Sequence, residues 1–102
     1  MNNKLFSMLG LAMRAGKIAS GAFQTQKALA DGKAKLLVID SAMSEAEQAE
    51  YRRLCSSKAL EVRPLSHGML ESAIGKPGRM AAAITDDNFA RQIITLIDGG
   101  AQ

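Results

Sequence analysis

The 102-residue sequence contains one cysteine and one histidine, and it has no tryptophan. A single cysteine cannot form an internal disulfide bond, which excludes a disulfide-rich secreted fold and fits a reducing compartment. We interpret Cys55 as a small buried side chain in a helical pattern rather than as a nucleophile. His67 has no second histidine to share a metal with, and no zinc-ligand spacing occurs. We therefore expect no metal and no cofactor.

Long apolar runs are also missing from the chain. No segment has the length that a membrane-spanning helix needs, and the first residues lack the apolar core and cleavage site of a signal peptide. We expect a cytoplasmic monomer without a membrane partner. The length and the hydrophobic content of 47% suit a single domain over residues 1–102.

The sequence contains no complete enzyme motif. The run that ends in Gly75-Lys76 resembles a phosphate-binding loop, but Pro77 stands where a serine or threonine would hold magnesium. Asp86 and Asp87 are better explained by helix capping than as a catalytic pair of carboxylates. An enzyme would also need a pocket of several hundred Å³ with convergent polar groups, and no pattern indicates one. We expect a protein that is not an enzyme.

Charge is distributed unevenly along the chain. Residues 1–35 carry six basic side chains and one acidic side chain, a net charge of +5. The other 67 residues carry seven basic and nine acidic side chains, a net charge of −2. Such asymmetry indicates a polyanionic partner at one end of the molecule. The alternative is that surface lysines cluster there by chance.

The hydrophobic pattern predicts five helices that alternate with four short strands. The apolar run at 35–40 predicts a strand that is buried on both faces, whereas Pro64 indicates a short or edge strand at 61–65. We expect an α/β fold, a three-layer α/β/α sandwich around a small four-stranded mixed sheet. The other predicted elements are strands from residue 18 and over 80–85, and helices over 3–15, 22–31, 44–57, 69–74 and 86–98.

Short polar side chains precede several predicted helices and can accept the free N–H groups of the first turn. Ser44 and Glu47 match the pattern of a capping box. The other expected caps are Ser20, Ser66, and either Thr85 or Asp86.

The stretch 16–35 joins a short strand to a helix through Gly21. A helix N-terminus carries unpaired N–H groups and partial positive charge, which suit phosphates and the acceptor edges of bases. Because Gly21 has no side chain, a ligand can approach the backbone there. Helical spacing predicts an inward stripe of Ala22, Thr25, Ala28 and Leu29.

The same spacing places Phe23, Gln24 and Lys27 together on the other side of this helix. An outward Phe23 beside Lys27 can stack a base while the lysine holds a phosphate. The alternative is that Phe23 turns sideways into the core, where helical phenylalanines usually lie, and that Lys27 is an ordinary solvated charge.

Four stretches of the chain resemble the kink-turn RNA-binding ribosomal protein family, the L7Ae/L30e group, and are most similar to its bacterial YlxQ-type branch. The stretches are L-G-L-A-M-R-A-G-K-I-A-S-G at 9–21, K-A-L-A-D-G-K-A-K-L-L-V-I at 27–39, L-E-S-A-I-G-K at 70–76 and A-I-T-D at 83–86. The resemblance implies an α/β/α sandwich that binds structured RNA. Ribosomal RNA and the ribosome are candidate partners.

In that family a G-x-N-E-x-x-K segment contacts the sheared G·A pairs of a kink-turn. Gly21 and Lys27 match its glycine and lysine. Phe23 stands in place of the asparagine, and Gln24 stands in place of the glutamate. Gln24 still offers a donor and an acceptor to a base edge, whereas Phe23 can only stack or wedge. The resemblance thus implies an RNA site at these four residues.

The family's second RNA contact carries an L-G-x-A-x-G motif, which residues 70–75 match except that Glu71 replaces the first glycine. The resemblance implies that the preceding loop, 64–68, approaches the RNA, with His67 as a candidate contact. Lysines that contact phosphates position an RNA without reading its sequence. The candidates for this role are Lys17, Lys33, Lys35 and Lys76.

Two functions remain open for this sequence. The first is recognition of a kink-turn-like internal loop in structured RNA. The second is a protein-interaction module that has lost standard kink-turn reading and uses an exposed Phe23 to anchor a protein partner. Binding through phosphates weakens steeply with salt, whereas an apolar contact does not, so salt dependence distinguishes the two.

Overall fold

The computed structural model describes residues 4–100, in which five helices and four strands follow the predicted order. The helices are α1 (Lys4–Arg14), α2 (Ala22–Ala30), α3 (Glu45–Ser56), α4 (Met69–Ile74) and α5 (Asp87–Asp98). The strands are β1 (Ile18–Ser20), β2 (Leu36–Asp40), β3 (Val62–Leu65) and β4 (Ala81–Ile84). Within the described residues, no helix is both long and apolar enough to cross a bilayer.

The four strands form one mixed sheet in the order β1-β4-β2-β3. β4 runs antiparallel to both of its neighbours, and β2 runs parallel to β3. Every residue of β2 is buried, which confirms the prediction of a central strand covered on both faces. β3, which contains Pro64, lies at an edge of the sheet, as predicted.

Helices cover both faces of the sheet, because side chains along a strand alternate between its two sides. Leu36 and Val38 of β2 pack in one core with α1, α4 and α5. Leu37 and Ile39 pack in a second core with α2 and α3, where Cys55 is also buried. The predicted three-layer α/β/α sandwich is confirmed.

Two of the predicted helix caps are present and two are wrong. The Ser44 hydroxyl accepts a hydrogen bond from the Glu47 N–H at 3.2 Å, and Asp86 Oδ2 accepts from the Phe89 N–H at 3.0 Å. Ser20 is instead the last residue of β1, and Gly21 takes the N-cap position of α2 without a side-chain cap. Gly68 likewise replaces Ser66 at the start of α4. In both cases a glycine with positive φ turns the chain into the helix, which separates the serine from the first turn.

Ala59, which follows α3, has a φ of 54°. This left-handed conformation costs an L-residue about 1–2 kcal/mol, whereas glycine adopts it freely. We expect Ala59→Gly to raise the free energy of unfolding, measured in urea titrations, by about 0.5–1 kcal/mol. The gain is smaller than the cost of the left-handed conformation, because glycine also raises the conformational entropy of the unfolded chain. As a control, Ala49→Gly in the exposed interior of α3 should lower it by about 1 kcal/mol. A less stable Ala59→Gly protein would contradict this account of the turn.

Candidate functional site

The start of α2 and three loops meet at one edge of the sheet, the one formed by the ends of the strands rather than by an edge strand. β1, β2 and β3 all end at this edge, and β4 begins there, because β4 runs opposite to the other strands. We call it the Gly21 edge, and the strand residues that define it are Ser20, Asp40, Leu65 and Ala81. We call the opposite one the Lys35 edge, and it is defined by Ile18, Leu36, Val62 and Ile84.

Gly21 has a backbone conformation that is essentially restricted to glycine. Its φ and ψ are 87° and 162°. Its N–H donates to the Ala81 carbonyl at 3.1 Å, and its own carbonyl accepts from the Thr25 N–H at 3.0 Å. Gly21 therefore ties the start of β4 to the first turn of α2 and sets the direction in which the free N–H groups of that turn point.

The inward side of α2 is held against the sheet by Thr25, Ala28 and Leu29, all of which are buried as predicted. The hydroxyl oxygen of Thr25 lies 3.3 Å from the carbonyl oxygen of Ala81, within hydrogen-bond distance. The prediction that Ala22 also faces inward is wrong, because Ala22 is exposed. It is the first residue of the helix and lies beyond the point where the sheet ends.

The opposite side of α2 forms an exposed surface of Phe23, Gln24 and Lys27, which we call the Phe23 face. The Phe23 side chain is 75% exposed, so the alternative that it turns into the core is wrong. Lys27 Nζ lies 3.0 Å from Asp31 Oδ2, and this hydrogen bond is the main reason that the pKa of Asp31 lies below its usual value. Exposed ion pairs of this kind are weak and screened by salt, so a phosphate can take the place of Asp31.

Arg79 lies across Gly21, a contact that the sequence analysis missed. The Nε, Cδ and Cζ atoms of Arg79 lie 3.5–3.6 Å from the position that a Cβ atom on Gly21 would occupy. Nε is buried and has no hydrogen-bond partner among the described residues. The two residues belong to loops that are distant in the sequence, so no local pattern indicates the contact.

Asp40 anchors the loop that precedes α4. Its buried carboxylate accepts hydrogen bonds from the N–H groups of Ala42 at 2.7 Å and Gly68 at 2.9 Å, and lies 3.0 Å from His67 Nδ1. Burial by itself raises the pKa of Asp40, but these hydrogen bonds outweigh it and hold the pKa below its usual value. The His67 side chain is 70% exposed, so Asp40 anchors a ring that stays open to a ligand.

Glu71, which stands at the first glycine of the L-G-x-A-x-G motif, stabilises the turn between α4 and β4. Its Oε2 atom accepts a hydrogen bond from the Gly78 N–H at 2.7 Å. Its carbonyl accepts from the N–H of Lys76, an exposed residue of the same turn, at 3.2 Å. Because this turn leads into the start of β4, the structure brings Lys76 and His67 to the same edge as Gly21.

Three of the candidate lysines lie away from the Gly21 edge, namely Lys17, Lys33 and Lys35. Lys17 precedes β1 and Lys35 precedes β2, and backbone hydrogen bonds to residues 84–85 hold both at the Lys35 edge. Lys33 lies in the turn between α2 and β2. A shallow groove of about 130 Å³ extends from Lys33 to the Phe23 face. The structure therefore connects Lys33 with the Phe23 face but does not bring Lys17 and Lys35 to Gly21.

No feature of the described residues supports catalysis. Burial raises the pKa of the Cys55 thiol, although Arg52 opposes the rise, so this thiol is not activated. Within residues 4–100, no group of three His, Cys, Asp or Glu side chains is arranged to hold a metal ion. An open cavity of about 580 Å³ between α1 and α5 has no histidine, cysteine or carboxylate in its lining, which consists of Lys4, Ser7, Met8, Leu11, Gln92, Thr95 and Leu96.

Comparison with known proteins places these features in context. Residues 3–94 match the sequence model of the Ribosomal protein L7Ae/L30e/S12e/Gadd45 family. The RNA-binding protein YlxQ of Bacillus subtilis (strain 168) is 32% identical over 94 residues, which cover 91% of this chain and 94% of that protein. The RNA-binding protein YlxQ of Enterococcus faecium is 32% identical over 97 residues, which cover 94% of this chain and 93% of that protein.

Solved structures share the fold. A Bacillus halodurans protein of unknown function superimposes with a TM-score of 0.88 at 32% identity, covering 93% of this chain and 97% of that chain. The 15.5kD RNA binding protein of Giardia lamblia superimposes with a TM-score of 0.71 at 19% identity, covering 95% of this chain and 83% of that chain.

Proposed function

Because this chain belongs to the L7Ae/L30e/S12e/Gadd45 ribosomal protein family, we propose that it is a non-enzymatic RNA-binding protein of the bacterial cytoplasm. Its RNA would contain a kink-turn-like internal loop, and ribosomal RNA is a candidate. Two bacterial relatives that match almost the whole chain are named RNA-binding proteins, which supports this proposal.

The observation that carries the proposal is the exposed Phe23 face on the helix that Gly21 caps. There an exposed aromatic ring, an amide and an ammonium group lie along one side of a helix whose N-terminal N–H groups attract phosphates and base acceptors. Stacking on an aromatic ring and a salt-sensitive contact to phosphate are the usual elements of RNA binding outside regular helices.

The second part of the proposed site is the loop held by Asp40, together with the turn that carries Lys76. His67 is held by Asp40 at the same sheet edge as Gly21, and Lys76 lies in the turn that leads to the start of β4 at that edge. One bent RNA loop can therefore touch both parts. Sequence-specific proteins bind RNA at such loops because the bases of a loop are not hidden in a regular helix.

Lys17, Lys33 and Lys35 remain proposed phosphate contacts, but only for an RNA that extends past the Phe23 face. The groove between Lys33 and that face gives a phosphate backbone a path in this direction. Contacts of this kind contribute affinity without selecting a sequence.

A protein-interaction module is the second candidate function. A phenylalanine that is 75% exposed on a helix is the kind of aromatic anchor that protein interfaces use. An enzymatic function gains no support, because the cavity between α1 and α5 lacks convergent acid–base groups.

The proposal is tested by gel-shift titration with a kink-turn RNA and with the same RNA after replacement of its G·A pairs. We expect wild type to bind the intact RNA at least tenfold more tightly than the altered RNA, and Lys27→Glu to weaken binding to the intact RNA at least tenfold. Lys58→Glu, the same charge change on an exposed lysine after α3, is the control and should bind nearly as wild type does. Equal, weak binding of wild type to both RNAs would refute kink-turn recognition.

A further inference from the structure

Arg79 is a cation whose side chain has no partner among the described residues. A guanidinium group carries five N–H donors in a fixed plane. No hydrogen bond or ion pair joins Arg79 to another residue between 4 and 100, and its Nε atom is buried. Buried donors in native proteins are nearly always satisfied, so an unsatisfied one indicates a missing partner.

The acidic side chains around Arg79 are engaged elsewhere. Glu47 lines the same cavity of about 200 Å³ as Arg79 and Gly21, but its Oε1 atom accepts a hydrogen bond from the Ser44 hydroxyl at 3.0 Å. Glu71 binds the Gly78 N–H in the turn that carries Arg79. Neither carboxylate forms an ion pair with the guanidinium group.

Arg79 adds the positive charge of its guanidinium group to the partial positive charge at the start of α2. It lies against Gly21, the N-cap of α2, where the helix dipole is positive. Two like charges side by side are unfavourable unless an electron-rich group lies against both. The site therefore favours a ligand that presents hydrogen-bond acceptors.

A guanine base fits this requirement better than a phosphate does. Its O6 and N7 atoms are two acceptors in one plane, and arginine binds them through two parallel hydrogen bonds. Because Nε is buried and the side chain packs across Gly21 in a cavity between the start of α2 and α3, the guanidinium group is held against the protein rather than extending into solvent as phosphate-binding side chains do. Resting on the proposed RNA-binding function, we infer that Arg79 reads the O6 and N7 edge of a guanine in the bound internal loop. It would thereby supply base recognition that Phe23 cannot.

The inference is tested by fluorescence anisotropy with two RNAs. One is a stem with an internal loop of tandem G·A pairs, and the other carries 7-deazaguanosine at the loop guanines, which removes the N7 acceptor. We expect the substitution to weaken wild-type binding at least fivefold and to change the affinity of Arg79→Gln less than twofold. Arg79→Lys keeps the charge but not the two parallel donors, so it should behave like Arg79→Gln. Arg52→Gln, at an exposed arginine of α3, should respond as wild type does.

The outcomes separate this inference from the function on which it rests. If wild type fails to bind the unmodified RNA, both the proposed function and the role of Arg79 are wrong. If wild type binds both RNAs equally, RNA binding stands and guanine reading by Arg79 is wrong. If Arg79→Lys retains wild-type affinity and wild-type sensitivity to 7-deazaguanosine, Arg79 is a phosphate contact and the inference is also overturned. Circular dichroism checks that each variant is folded, and either Arg79 variant alone suffices for the comparison.

Discussion

Asp40→Asn is expected to lower the free energy of unfolding by about 2–4 kcal/mol near pH 7. The Asp40 carboxylate is buried and accepts hydrogen bonds from two backbone N–H groups, and His67 Nδ1 lies next to it. An asparagine fits the same space, but its amide group has one acceptor oxygen and places two donors among existing donors. At least one of these backbone N–H groups then loses its side-chain partner, and the ionic character of the remaining bonds is lost.

The effect of Asp40→Asn should depend on pH. The pKa of Asp40 in the folded protein lies below its usual value, so the folded state holds this carboxylate ionised where the unfolded chain already takes up a proton. The stabilisation is therefore complete above the unfolded pKa, about 3.9, and is lost as the pH falls through the folded pKa. We expect the stability difference between wild type and Asp40→Asn to narrow steadily below about pH 4.

Urea titrations at pH 7, 5 and 3 measure this difference directly. Asp87→Asn makes the same chemical change at an exposed position in the first turn of α5, and its effect should be much smaller. A difference between wild type and Asp40→Asn that stayed constant from pH 7 to pH 3 would show that the ionised carboxylate does not stabilise the loop.

Phe23→Ala is expected to weaken RNA binding about 10- to 100-fold, because stacking of a base on an aromatic side chain contributes about 1–3 kcal/mol. Phe23 is 75% exposed, so its removal should leave the free energy of unfolding nearly unchanged. The stacked ring carries no charge, and the slope of affinity against salt concentration should therefore equal that of wild type. Lys27→Glu should instead reduce this slope by about one for each lost phosphate contact, or slightly more.

The chain provides a matched control for the loss of an exposed aromatic ring. Phe6 on α1 is 43% exposed, and α1 packs on the other face of the sheet from α2. Phe6→Ala should bind RNA as wild type does. If Phe23→Ala also binds RNA with unchanged affinity, the ring does not stack a base, and a protein partner for Phe23 becomes the better hypothesis.

Features that depend on neighbouring residues could be predicted from the sequence. The apolar run of β2 identified the central strand, and Pro64 identified an edge strand, because both signals are local. The N-cap at Ser44 was predicted correctly for the same reason, although the Glu47 side chain accepts from the Ser44 hydroxyl rather than from its backbone N–H. Ser20 and Ser66 were wrong because sequence alone does not show whether a serine or the following glycine takes the N-cap position.

Features that depend on chain topology could not be predicted in this way. Arg79 meets Gly21, and Asp40 meets His67, only because β1, β2 and β3 end, and β4 begins, at one edge of the sheet. Helical spacing placed Phe23 and Lys27 on one face, but it also allowed Phe23 to be buried, and only the folded sheet decides between the two positions. Which RNA contacts these residues make remains a prediction.

The outer strands of the sheet bear on the behaviour of the protein at high concentration. β1 has three residues, which is too short to recruit a strand from another molecule effectively. The carbonyls of Glu61 and Leu65 accept hydrogen bonds from Leu37 of β2 and from Ser41, which follows β2, so by alternation the backbone at position 64 points away from β2. A proline at that position offers no N–H to an incoming strand. Both edge strands of the sheet thus resist pairing with strands of other molecules. This would limit aggregation of the protein even though its Phe23 side chain is exposed.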